Sequence, residues 1–150
     1  MYMPELYSIV PKDYLLSSLV NEVTDITQAK LVGPNIDIVV HINSNIPDTL
    51  YGDETRIREV LLDVLDNAVK YTKRGIIAFV VNGKITEDTV LLTLVVVDSG
   101  MGIEETGPEL DMTKNIVEAM NGSISVKSEH GRGSIFIIKL PQKIRSEEIT

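Results

Sequence analysis

Two stretches of this sequence hold residues whose types and spacing could do chemistry. In "VVVDSGMGI" an apolar run brings the chain to Asp98, and Gly100 and Gly102 follow at a spacing that lets a backbone bend closely around a ligand. Phosphate is the usual ligand of such turns, yet Glu104, Glu105 and Glu109 come almost at once. In "DETRIREVLLDVLDNAVKYTKRG", helical periodicity puts Asp63, Asn67 and Lys70 on one line, with Tyr71 beside it. Asn67 is the informative residue. It sits mid-helix at the border of an apolar stripe, where asparagine has poor propensity and competes with the backbone. An acid, an amide, a cation and an aromatic so arranged suit a nucleotide triphosphate carrying Mg²⁺. The Asn67 oxygen would meet the metal, Lys70 the phosphate, and Tyr71 the base. Taken singly, the charges fit a solvated helix face equally well, and Asp98-Ser99-Gly100 fits a plain turn.

The elements that must hold these residues follow from periodicity. Apolar residues recur at helical spacing from Tyr14 to Leu31, closed by Gly33-Pro34. "IDIVVHIN" alternates as a strand, and "SNIPDTLYG" has the composition of a loop. A second helix runs from Asp53 to about Thr72, with Ile57, Val60, Leu61, Val64, Leu65 and Ala68 as its core stripe. Two strands follow, "GIIAFVVNGK" and "DTVLLTLVVVD", the latter apolar on both faces and so placed mid-sheet beneath helices. A third helix from about Glu109 to Met120 stops at Asn121-Gly122, and "SISVKSE" with "GSIFIIKLP" makes a closing hairpin around 130–133. The expected fold is α+β: a two-layer sandwich of three helices on one face of a mixed five-stranded sheet. One domain over residues 1–143 and a frayed tail over 144–150 are expected.

Composition narrows the function. The chain has 150 residues and a formal net charge of -8, which argues against a nucleic-acid backbone as the partner. No cysteine is present, so thiolate metal sites and cysteine nucleophiles are excluded. The longest apolar run, Val90 to Val97, is far too short to span a membrane, and a cytoplasmic location without direct membrane contact is expected. The opening residues read as those of a domain cut from a longer chain. His41 in a strand and His130 in a turn have no metal-ligand spacing and read as structural.

The helix with Asn67 resembles the asparagine box of sensor histidine kinases, and "VVVDSGMGI" resembles their first glycine box. "KNIVEAMNGSISVKSEHGRGSIFIIKLP" is similar to their closing helix and hairpin. Nearly the whole chain is covered, in the family's order. The resemblance implies the Bergerat ATPase fold, shared with gyrase and the ninety-kilodalton chaperone. It implies a catalytic domain that would transfer the γ-phosphoryl of ATP to a histidine on a separate dimerisation domain, with a response regulator as a further partner. Carried over by position, Asn67 would hold Mg²⁺ and Lys70 a phosphate, while Tyr71 would flank adenine. Asp98 would accept the adenine amino proton, Gly100 and Gly102 would allow close approach, and Ser134 would join Asp98 around a water. Asp63 would stand where the gyrase and chaperone branches have a glutamate as general base, but it is shorter and also reads as a magnesium-shell or solvent-facing carboxylate.

The sequence also departs from that family. Its long lid is absent, and its second glycine box is reduced to Glu105-Thr106-Gly107-Pro108-Glu109-Leu110, of which Gly107 survives as a binding glycine. Thr106 and Glu109 instead form a capping box, with Pro108 and Asp111 suited to a first helical turn. Such a helix start supplies its own hydroxyl and carboxylates to the amides that would otherwise meet phosphate. The base-binding half is therefore expected to be intact and the phosphate-holding half blunted, with weak ATP and Mg²⁺ binding and an enzyme impaired as this fragment. The competing reading is a nucleotide-blind module that docks a signalling partner through apolar surface near Tyr71, Ile103 and Leu110.

Overall fold

The computed structural model describes residues 8–31, 35–72, 74–99, 111–129 and 133–145. In chain order the elements are β1 (Lys12–Leu15), α1 (Leu16–Ala29), β2 (Ile36–Ile42), β3 (Thr49–Gly52), α2 (Glu54–Tyr71), β4 (Gly75–Thr86), β5 (Thr89–Asp98), α3 (Asp111–Ala119), β6 (Ser123–Glu129) and β7 (Gly133–Ile144). The sheet runs β1-β3-β7-β5-β4-β2, and β6 also pairs with β7. Among the described residues only β2 and β4 pair in parallel, from Ile36↔Gly75 to Ile42↔Val81; the other pairings are antiparallel.

The expected α+β two-layer architecture is present, with seven strands among the described residues rather than five. Both additional strands lie in stretches expected as other structure: β1 replaces the first turn of the predicted helix, and β3 replaces the end of a predicted loop. The cause is a long-range cap. Leu15 offers no side-chain oxygen to the start of α1. Asp48, from the loop before β3, supplies it instead. Its carbonyl accepts from Leu16 N–H at 2.9 Å, and its carboxylate accepts from Ser17 N–H at 2.8 Å and Ser17 Oγ at 2.9 Å. That contact holds Lys12–Leu15 in register with Thr49–Gly52 and delays the helix to Leu16. Pattern reading of one segment does not detect a cap 31 residues away.

Strand β5 lies mid-sheet with helices on one face, as expected, although its sequence is apolar on both. Val90, Leu92, Leu94 and Val96 are buried against the helices, whereas Leu91 is exposed and Val95 and Val97 are half-buried. The core packs these residues with Phe79 and Phe136 of the flanking strands beneath Leu19 and Val23 of α1 and the predicted α2 stripe. α3 ends as expected: Asn121 takes φ 64°, and Gly122 N–H returns to Val117 O at 3.0 Å. Strand β7 continues past the expected domain boundary to Ile144, which pairs with Leu50. Arg145 then bonds Asp13 at 3.0 Å and lies over the Tyr51 ring, so ordered structure reaches into the stretch expected as tail.

Candidate functional site

α2 positions one half of the site. Asp53 caps its start, with one carboxylate oxygen accepting from Arg56 N–H at 3.0 Å and the other from Val10 N–H at 2.8 Å. Two turns of core stripe later, Asp63, Asp66, Asn67 and Lys70 line a cavity of about 330 Å³. The helical line read from the sequence is thus realised, with Asn67 only 5% exposed. Lys70 Nζ lies 5.2 Å from the centroid of the Tyr71 ring.

The two carboxylates of this cavity have partners. Asp63 Oδ2 accepts from Thr113 Oγ1 at 3.0 Å, which ties α2 to the first turn of α3. Burial pushes the Asp63 carboxyl above the usual range, and Glu59 and Asp66 add to this, while the Thr113 hydroxyl and Lys30 oppose it. Asp66 bonds Lys30 Nζ at 2.8 Å. Sequence reasoning missed Asp66, Lys30 and Thr113. The spacing of Asp66 next to Asn67 could have flagged it; the other two come from α3 and from the residue that ends α1.

The second half lies at the ends of β5 and β7. Asp98 and Ser134 are opposed in register, 3% and 2% exposed. With Val97, Lys127, Ser128, Gly133 and Ile135 they line a cavity of about 380 Å³. Ser134 Oγ is buried with no hydrogen-bond partner among the described residues. A buried hydroxyl left in this state is costly unless something else bonds it. Gly133 has φ 108°, and a Cβ there would fall 2.1 Å from the Asp98 carbonyl oxygen, so only glycine lets β7 begin against Asp98. Gly100, Gly102 and Gly107 lie outside the described residues, as do Glu104, Glu105, Thr106 and Glu109. His41 is exposed on β2, and no group of three or more His, Asp or Glu that could hold a metal occurs among the described residues. A Mg²⁺ here would fit only as an ion shared between the Asn67 oxygen and a ligand's phosphates.

This pairing of a helix-borne asparagine cluster with a buried strand-end aspartate corresponds to a known family. Residues 52–144 match the family described as histidine kinase-, DNA gyrase B- and HSP90-like ATPase. The chain belongs to it. The sensory/regulatory protein RpfC of Xanthomonas campestris is 30% identical over 89% of this ATPase domain, which spans 22% of that protein's length. The histidine-protein kinase BarA of Escherichia coli is 27% identical over 81% of the domain, which spans 16% of it. Among solved structures, full-length ShkA in complex with AMPPNP superposes with a TM-score of 0.76 and 25% identity, covering 93% of the domain and 32% of ShkA. The domain is therefore a histidine-kinase-type ATP-binding domain with the Bergerat fold. No helix among its described residues is long and apolar enough to cross a membrane.

Proposed function

We propose that this domain is the nucleotide-presenting half of a sensor histidine kinase. Adenine binds at Asp98 and Ser134, and the phosphates lie toward Asn67 and Lys70, with Gly100, Gly102 and Gly107 allowing close approach. The observation that carries the reading is the buried Asp98–Ser134 pair, whose hydroxyl has no partner among the described residues. A carboxylate accepts from the adenine amino group, and a hydroxyl orients a bridging water. Mg²⁺ bound to Asn67 would offset phosphate charge. Asp98 and Ser134 orient the base, Tyr71 flanks it, and Lys70 steadies the phosphate nearest α2. In a parent kinase on the cytoplasmic side, the γ-phosphoryl would pass to a histidine of the dimerisation domain and from there to a response regulator. Such transfer is mostly positioning and charge stabilisation, so the domain alone turns over poorly.

The phosphate half is the weaker one. Charge-assisted contacts to phosphate contribute roughly 1.5–3 kcal/mol each. Losing two or three, with Glu105 and Glu109 adjacent in sequence, lowers affinity by a few orders of magnitude at about 1.4 kcal/mol per tenfold. Calorimetry with adenosine, ADP and ATP in Mg²⁺ tests this. All three should bind within about tenfold of one another, Asp98→Asn should abolish binding, and Glu105→Gly with Glu109→Gly should strengthen ATP alone. No binding of any adenine ligand would sink the reading in favour of a docking module. ATP binding far more tightly than adenosine would refute the blunted phosphate half.

A further inference from the structure

The ladder between β4 and β5 ends at the pair Ile77↔Asp98. One step further, where Ser99 would face Ile76, a side chain replaces the backbone. Ser99 Oγ accepts from Ile76 N–H at 3.1 Å and donates toward Ile76 O at 3.4 Å. One hydroxyl thus meets both backbone groups that a paired residue would have met. The chain can leave the sheet directly after Asp98 without loosening the strand end that bears it.

Two glycines make this possible, one on each flank. Gly75 opens β4 with φ 114°, and a Cβ there would fall 2.2 Å from Ser99 Oγ. Gly133 opens β7 with φ 108°, and a Cβ there would meet the Asp98 carbonyl. The strands beside β5 both start on residues without side chains, at the level where Asp98 and Ser99 must fit between them.

We infer that Ser99 is a positioning residue for base recognition: its hydroxyl clips the end of β5 to β4 and fixes where the Asp98 carboxylate stands. This rests on the reading of Asp98 as the group that meets the adenine amino proton. Ser99 itself is exposed and touches no ligand in this account. Releasing the clip lets the strand end shift, and a carboxylate displaced by a few tenths of an ångström loses hydrogen-bond alignment first.

The test is a ratio that a loss of stability does not move. Affinities of the whole chain for adenosine and for purine riboside, which lacks the 6-amino group, are measured for the unmodified protein, Ser99→Ala, Ser99→Thr and Gly75→Ala. Urea denaturation of each variant checks that it is folded. The unmodified chain should prefer adenosine by at least about tenfold. Ser99→Ala should narrow that preference roughly three- to tenfold, chiefly by weakening adenosine. Ser99→Thr retains the hydroxyl and should restore it, whereas Gly75→Ala displaces the hydroxyl and should reproduce the alanine result. A preference unaltered in Ser99→Ala overturns the inference while leaving the base site standing. An unmodified chain that does not distinguish the two nucleosides overturns the base reading and the positioning role together.

Discussion

Gly133→Ala is the sharpest single perturbation of the strand-end geometry. The residue sits at φ 108°, where a side chain costs about 1–3 kcal/mol. The added Cβ would lie 2.1 Å from the Asp98 carbonyl oxygen, 3.1 Å from the carbon and 3.2 Å from Ser99 Cα. All three obstacles are backbone, so no rotamer change relieves them. The Asp98↔Ser134 pair must open, and a lost ladder bond adds about 0.5–1.5 kcal/mol. The expected loss is roughly 2–4 kcal/mol, within the 5–15 kcal/mol typical of a domain, so the variant still folds. Gly83→Ala is the matched control. Its nearest obstacles are side-chain atoms of Val90 and Ile46, and its φ is not in the positive region, so its cost should be smaller. Urea denaturation of both, with calorimetry of adenosine binding, reads the outcome. Gly133→Ala within about 0.5 kcal/mol of the parent, or with unchanged adenosine affinity, would refute the close approach as a constraint on Asp98.

Three further outcomes are expected. Burial raises the folded-state Asp63 carboxyl above its unfolded value, so its contribution favours folding at low pH and is lost as pH rises through the raised value. Asp63→Asn keeps an acceptor for Thr113, so its stability gain over the parent should be largest near neutrality and vanish on acidification. A gain that grows on acidification would contradict this sign. Tyr14→Phe removes the donor to buried Gln142 Oε1 at 2.9 Å and should cost about 1–2 kcal/mol by urea denaturation. Burial also raises the Tyr14 phenol, with Glu54 adding, so the parent alone should lose this stability as pH rises past about 10. Asp66→Asn breaks an exposed pair with Lys30 and removes a carboxylate from the α2 cavity. By calorimetry it should raise ATP affinity no more than about fivefold and leave adenosine unchanged, since such pairs contribute only about 0–1 kcal/mol.

What the sequence disclosed and what it hid divide along physical lines. The α2 stripe, the line from Asp63 through Asn67 to Lys70, and the Asn121-Gly122 stop depend on residues within a few turns of one another. Periodicity and capping chemistry therefore reveal them. β1 and β3 stayed hidden because their existence depends on Asp48 reaching Ser17 and on pairing with the far end of β7. Thr113 and Lys30 stayed hidden for the same reason: each meets α2 from elsewhere in the chain, Thr113 from α3 and Lys30 from the end of α1. Asp98 was visible as a strand end before glycines. Its opposition to Ser134, with Gly75 and Gly133 on either side, is a property of sheet register that no local window contains.

The two halves of the site are held by different kinds of force, and this bears on why one should tolerate change better than the other. Asp98 is fixed by backbone: a ladder on both sides, a hydroxyl clip one residue on, and two flanking glycines. Apart from that one hydroxyl, its position does not depend on the surrounding side chains. The α2 face is fixed by side chains that already have partners before any ligand arrives: Asp63 with Thr113, Asp66 with Lys30, and Lys70 beside the Tyr71 ring. A triphosphate bound there, as proposed, would compete with these contacts and gain only the difference. The exposed Asp66–Lys30 pair is weak, so it would modulate phosphate affinity without abolishing it. On the proposed reading, glutamates rather than glycines at 105 and 109 would be the larger handicap, because each would bring a carboxylate that repels phosphate. On that reading, a base site built on backbone would tolerate more substitution than a phosphate site built on a glycine turn.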